Sequence, residues 1–296
     1  MDNRAEIKAF LSSRRAKITP EQAGLSAYAR NRRVPGLRRS EVADLAGVSV
    51  EYYAQLERGN LSGVSDSVLA ALSRALQLDE AEQAHLFDLA RAAGPAPRVR
   101  RKAPAQQVRP SIQRLLDLMN EIPVIVNNAR LDVVAENLFG QALFAPVYAA
   151  ARPANQPVNH ARFTFLDPRA RDFWTDWERA ATDCVAQLRT EAGRDPHDKA
   201  LTDLVGELCT RSEAFRIRWA AHDVRLHRTG RKHFHHPVVG ALHLNFEVLE
   251  LPADPGLALI AFSAEAGSAD ADALKLLANW AATHDPADAL PASTQT

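Results

Sequence analysis

Ser49, Val50, Glu51, Tyr52, Gln55 and Arg58 fall within ten consecutive positions, and their side chains are of the kinds that read a DNA duplex. A glutamine can pair bidentately with adenine, a glutamate can accept from the cytosine amino group, and a valine can rest on a thymine methyl. Tyr52 can hydrogen-bond a phosphate. Arg58 can do the same, or it can pair with its neighbour Glu57. A second cluster, His222, His227, His233, His235, His236 and His243, raises metal binding. Metal-bound histidines come with fixed spacing and with cysteine or carboxylate partners. His233 and His235, two apart, meet only the first condition, and the run Gly230-Arg231-Lys232-His233-Phe234-His235-His236-Pro237 reads instead as a basic approach to a strand. No metal is expected. Catalysis is not expected either, because the chain has no nucleophile elbow, no phosphate-cradling glycine loop and no paired-carboxylate signature.

These readers need a helix to carry them, and the stretch from Leu37 to Gly59 supplies one. Val42, Leu45 and Ala46 mark one face of a first short helix. Gly47 falls where that helix must stop, since glycine accepts the left-handed backbone that ends helices. Ser49 can cap a second helix in which Tyr53 and Leu56 face inward and Gly59 ends the turn. Helix, short turn, helix is the arrangement that lays a recognition helix in the major groove. The basic loop from Arg30 to Arg39 precedes it, with Arg38 and Arg39 as candidate contacts to the DNA backbone.

The string Glu41-Val42-Ala43-Asp44-Leu45-Ala46-Gly47-Val48-Ser49, followed by Tyr53 and Leu56-Glu57-Arg58-Gly59, resembles the helix-turn-helix of Xre/Cro-type repressors. The longer run from Pro35-Gly36-Leu37-Arg38-Arg39 through Tyr52-Tyr53 resembles the MmyB-like subfamily of bacterial regulators, in which such a head precedes a ligand-binding domain. The resemblance implies five helices in the first ninety or so residues. Periodicity places them at Asn3–Lys17, the two motif helices, a helix capped by Ser65 with Val68, Leu69, Leu72 and Leu76 inward, and one opened by Asp79 or Glu80. Arg14, Arg15 and Lys17 close the first of these, where cations complement the helix dipole.

The chain then divides by composition. Residues 1–93 form an all-α helix-turn-helix domain, 94–110 a linker rich in proline and arginine, 111–284 a second domain, and 285–296 a flexible tail. The second domain opens with an amphipathic helix (Ile112, Leu115, Leu116, Met119) and a hairpin over 123–137 turning at Asn127-Asn128-Ala129-Arg130. Residues 160–220 read as helical, with Phe173, Trp174, Trp177, Ala181, Cys184, Val185 and Leu188 on one face, a break at Asp195-Pro196, and a following helix that begins at Leu201 and closes with Phe215 to Trp219. Strands follow at 238–248 and 257–262, then a helix at 273–282. Strands at both ends of a helical middle must pair into one antiparallel sheet, an α+β arrangement. The opening resembles a PAS domain, and Trp219-Ala220-Ala221-His222-Asp223-Val224 with Gly230–Gly240 resembles the C-terminal domain of the MmyB-like family. That resemblance implies a PAS-like pocket for a fatty-acyl ligand. Candidate lining residues are Phe144, Phe163, Trp174, Trp177, Trp219 and Phe246. Arg162, Arg218 and His222 are candidate partners for a carboxylate head.

Charge agrees with this division. Residues 1–110 hold 18 Lys+Arg against 12 Asp+Glu, whereas 111–296 hold 18 against 24, so the net charge of zero hides a basic head and an acidic body. No apolar run reaches the length of a membrane span, and the N-terminus lacks a signal-peptide core. The two cysteines, Cys184 and Cys209, sit in no paired motif and suit a reduced, cytoplasmic protein. The expectation is a DNA-binding transcription regulator, homodimeric on a palindrome, whose second domain senses a small apolar ligand without a resident cofactor. The alternative is a constitutive DNA-binding or scaffold protein whose second domain only dimerises.

Overall fold

A computed structural model describes residues 2–25, 36–94, 107–151, 157–225 and 227–283. The basic loop from Arg30 to Pro35, most of the linker and the tail lie outside them. Five helices are described in the N-terminal part: α1 (Asn3–Lys17), α2 (Arg39–Ala46), α3 (Val50–Glu57), α4 (Asp66–Ala75) and α5 (Glu80–Ala92). Their ends follow the local chemistry. Asp2 caps α1 by accepting from the Arg4 amide at 3.0 Å, and Ser65 caps α4 by accepting from Val68. Asp79 and Glu82 accept from each other's amides to open α5. One expected core position differs. Leu45 is 39% exposed, and α2 buries Val42, Ala43 and Ala46 instead. The helix packs against both α3 and α4, and small Ala43 allows the closer approach that a leucine would block.

The elements that follow are α6 (Pro110–Leu118), β1 (Val124–Asn128), β2 (Val133–Glu136), α7 (Leu138–Leu143), α8 (Ala145–Ala151), α9 (His160–Leu166), α10 (Ala170–Phe173), α11 (Trp177–Arg194), α12 (Lys199–Arg211), α13 (Glu213–Ala220), β3 (Thr229–His236), β4 (Gly240–Glu250), β5 (Leu257–Ser263) and α14 (Ala269–Thr283). The sheet is antiparallel in the order β2-β1-β5-β4-β3. The first and last strands of the second domain meet where Ile125 pairs with Ile260, the non-local pairing expected of an α+β domain. Three local expectations are corrected. Residues 229–236 are not an approach to a strand but strand β3 itself, because every residue of it pairs with β4. The hairpin turns later than expected, since Asn128 Oδ1 accepts from the amides of Arg130 and Asp132 at 2.9 and 3.0 Å and Leu131 takes φ +62°. The segment ending in Trp219 is a separate helix, its start capped by Ser212, which accepts from Phe215 at 3.2 Å.

By contacts the chain forms two compact units that do not follow the division by chain position. The first comprises Met1–Arg100, Val185–Gly206 and Arg216–Leu226. The second comprises Arg101–Cys184, Glu207–Phe215 and His227–Thr296. In the first unit Val224 joins Ile7, Phe10, Leu11, Tyr53, Leu72 and Leu86 in one apolar core. The second unit is built on an aromatic core in which Phe144, Phe173, Phe234 and Phe262 meet with ring centroids 5.4 to 6.3 Å apart. Such tilted and edge-on contacts match the ring quadrupoles.

Buried Asn137 joins three pieces of backbone in the second unit. Its Oδ1 accepts from Val124 and Gly140 at 3.0 and 2.7 Å, and its Nδ2 donates to Ile122 at 2.9 Å and to Met119. Asn137→Ala leaves buried backbone groups without partners. It is expected to lower the unfolding free energy by about 3 kcal/mol, measured by urea titration followed through second-unit fluorescence.

Candidate nucleic-acid interface and ligand-binding residues

Helix α3 presents two chemically different faces. Tyr53, Leu56 and Glu57 are buried in the first unit, whereas Ser49, Val50, Glu51, Gln55 and Arg58 are exposed and Tyr52 is half-buried. All six expected readers therefore retain access to solvent. Gly47 takes φ +66° to end α2, and Ser49 Oγ accepts from the Tyr52 amide at 3.1 Å. Those two residues set the angle at which α3 leaves α2.

The two arginines expected to grip the DNA backbone have different settings. Arg38 is exposed, and its amide donates to Glu41 at 2.6 Å. Arg39 is half out in solvent, but its guanidinium is hydrogen-bonded to Glu57, which raises its pKa. Glu57, only 2% exposed, also accepts from Arg15 Nε at 2.6 Å, and Arg15 donates to the Leu37 carbonyl at 2.9 Å. One buried carboxylate thus ties the end of α3 to the start of α2 and the end of α1. The sequence placed Arg15 only as a cation at the end of α1, and it offered Arg58 as a partner of Glu57. The signal was the spacing Tyr53, Leu56, Glu57, which places the acid on the buried face. The same signal sits in α1, where Ile7, Phe10, Leu11 and Arg14 continue one stripe. Arg14 is no surface cation at a helix end: it is 3% exposed and bound to Glu82 at 2.5 Å.

The ligand-binding candidates separate between the units. Phe144, Phe163, Trp174, Trp177 and Phe246 are buried in the second unit's core, with Phe163 5.6 Å from Phe173 and Trp177 donating to the Thr164 carbonyl at 2.9 Å. Arg162, in the same unit, is paired with Glu207 at 2.9 Å. Arg218, Trp219 and His222 belong to the first unit. There the Trp219 ring lies 4.0 Å under the Arg189 guanidinium, and His222 Nδ1 is 3.1 Å from Glu6. A cleft of the second unit has charged walls, including Asp176, Arg179, Asp183, Arg231 and Lys232. The candidate Trp174 and Ala180 supply the apolar part of its lining.

The histidines each have their own setting. His227 stacks on Phe246 at 4.4 Å, and His233 meets His243 edge-on at 4.9 Å. His236 accepts from the Val238 amide through Nδ1 and donates through Nε2 to the Ala142 carbonyl at 3.0 Å. Among the described residues, no three histidine, cysteine or carboxylate side chains converge as a metal site would require.

Residues 108–277, more than half of the chain, match the model of the MmyB-like transcription regulator ligand binding domain. The chain belongs to this family. Residues 14–86 match a helix-turn-helix domain. No curated protein matches significantly. Both matched families are regulator domains rather than enzymes, and together they make this MmyB-like chain a transcription regulator with a DNA-binding head and a ligand-binding domain. Among the described residues no helix is long and apolar enough to cross a membrane. The helix-turn-helix match begins at Arg14, although the earlier part of α1 supplies Ile7, Phe10 and Leu11 to the head's core.

The second unit carries a pH dependence of its own. Burial holds the imidazoles of His160 and His236 at about 4 and that of His227 at about 3, all below the ordinary 6.5. The unfolded chain takes up these protons near 6.5 and the folded chain does not. Their contribution is therefore intact above pH 6.5 and is lost as pH falls from 6.5 toward 4. Between pH 7.5 and pH 5 the melting midpoint is expected to fall by at least about 5 °C in calorimetry. A level midpoint across that window would contradict neutral buried histidines.

Proposed function

We propose that this regulator reads its operator through Ser49, Val50, Glu51, Tyr52, Gln55 and Arg58, with Arg38 and Arg39 beside the phosphates. The observation that carries this reading is the division of α3 into a buried face and an exposed polar face. Gln55 is fully outward, and it is the one reader with a bidentate match to adenine. Arg39 reaches a phosphate from its place beside Glu57, which fixes its direction. A homodimer fits the reading, since two such helices one DNA turn apart address a palindrome. Gln55→Ala is expected to weaken binding to a selected operator by about 1–3 kcal/mol while leaving affinity for random DNA nearly unchanged, as read by gel shift at fixed salt. Equal losses on both DNAs would remove Gln55 from base readout.

The ligand is proposed to be a small apolar molecule of fatty-acyl type, enclosed by the second unit's aromatic residues Phe144, Phe163, Trp174, Trp177 and Phe246. Apolar walls with few polar anchors support that chemistry. Arg162 is the proposed anchor for a carboxylate head, which would exchange with Glu207 at the guanidinium. The close ring contacts within this core favour the second reading, a domain that only dimerises, and the two readings differ in one measurement. Native mass spectrometry of the purified chain is expected to show a retained mass that organic extraction releases as a fatty acid. An empty chain whose melting midpoint does not move on adding palmitate supports the dimerising reading.

A further inference from the structure

The helix-turn-helix head has a set of buried ionic contacts that base reading does not need. Glu6 on α1 is hydrogen-bonded to Arg189 of α11, whose side chain is 0% exposed. Arg189 also donates to the Trp219 carbonyl and lies 2.8 Å from His222 Nδ1. Arg14, one turn from the end of α1, donates to the His222 carbonyl and reaches Asp223 at 3.3 Å, and Lys17 reaches the same carboxylate at 2.5 Å. His222 holds φ +55°, a conformation that its surroundings must over-determine. Gly193 lies so close to the His85 ring that an added Cβ would come within 2.5 Å of it. All of these residues belong to the first unit. Yet Arg189, Gly193, Trp219, His222 and Asp223 lie within the stretch matched by the ligand-binding family model.

Two physical facts give this cluster a direction. Burial pushes the Glu6 carboxyl up, but the hydrogen bond from His222 and the charge of Arg189 outweigh it and hold the group at about 2. The pair is therefore ionised and buried, and removing one member strands the other's charge. Secondly, Arg14 and Arg15 are adjacent on α1 and face different partners. Arg14 takes the His222–Asp223 turn, and Arg15 takes Glu57 at the end of the recognition helix. A continuous chain of contacts thus runs from Arg189 through Glu6 and α1 to α3. At its other end α11 places Trp177 and Ala181 in the second unit's aromatic core.

We propose that Arg189 is a transmission residue, through which the ligand-binding domain holds the DNA-binding head in its binding-competent form by clamping α1. This deepens the regulator reading and rests on it. A ligand that shifts α11 changes the clamp, and operator affinity changes only by the ligand's preference between clamped and unclamped states.

The test uses the full chain, native-state hydrogen exchange and an operator selected from random DNA. Arg189→Met is expected to speed exchange of the α1 amides at least tenfold, with β4 and β5 amides unchanged, and to weaken operator binding at least tenfold. Replacing both charges, Glu6→Met with Arg189→Met, is expected to bring both quantities back to within about threefold of the parent. Should Arg189→Met not fold, Asp223→Asn, at the solvent edge of the clamp, is expected to speed α1 exchange about threefold. Trp177→Leu is expected to alter α1 exchange by at least threefold in either direction, reporting passage along α11. Unchanged α1 exchange in Arg189→Met, or in Asp223→Asn if the first does not fold, overturns the clamp. Tighter operator binding by Arg189→Met overturns its supporting sense, and unchanged α1 exchange in Trp177→Leu overturns the transmission. If the parent chain selects no DNA sequence, the regulator reading fails, while the exchange results still decide the clamp.

Discussion

The contact on which the rest of the first unit depends is the buried ion pair between Glu6 and Arg189. An isolated charge placed where Arg189 sits would be strongly disfavoured by desolvation, and burial alone lowers its pKa. The pair persists because the Arg189 guanidinium donates to both the Glu6 carboxylate and the Trp219 carbonyl, although its Nε has no partner. Apolar contacts tolerate sliding, but a buried, hydrogen-bonded ion pair does not. The pair therefore sets the register of α1 against residues more than 180 positions away. The carboxylate of Glu57 does the same over a shorter span, fixing α1, α2 and α3 to one another through Arg15 and Arg39.

The second unit is organised differently. Its sheet closes through the pairing of β1 with β5, and the face so formed is covered by aromatic rings rather than by ionic contacts. Polar groups inside it serve turns and helix starts. Asn128 shapes the hairpin, Asn159 caps α9 by accepting from Arg162 at 2.8 Å, and Asn137 joins β1, α7 and the loop before them. Cys184 belongs to the same apolar setting, where burial pushes its thiol up to about 12. Such a thiol is unreactive at neutral pH.

Much of this was legible because local chemistry writes itself into short spans. Gly47, Ser49, Ser65 and Asp79 mark helix ends that the structure keeps, and the alternation of Leu242, Leu244 and Phe246 marks the inner face of β4. Legibility failed where a residue's role depends on a distant partner. Arg14 and Arg189 read as ordinary cations, since nothing within a few residues reveals a carboxylate waiting in another segment. Strand β3 was missed for a related reason. Its basic, histidine-rich sequence has the composition of a solvated loop, and only pairing along all of β4 makes it a strand.

The sequence by itself determined the helix-turn-helix, its capped recognition helix, the outward placement of Gln55 and its neighbours, and the strand-helix-strand order of the second unit. Each depends on periodicity, turn residues and caps, which act over a few positions. The tertiary structure decided which segments complete the head. Residues from the helical middle of the ligand-binding family domain join the core of α1 and α5, and the candidates Trp219 and His222 go with them. Burying a charge requires its partner to arrive from elsewhere in the chain, and a linear pattern carries no record of that meeting.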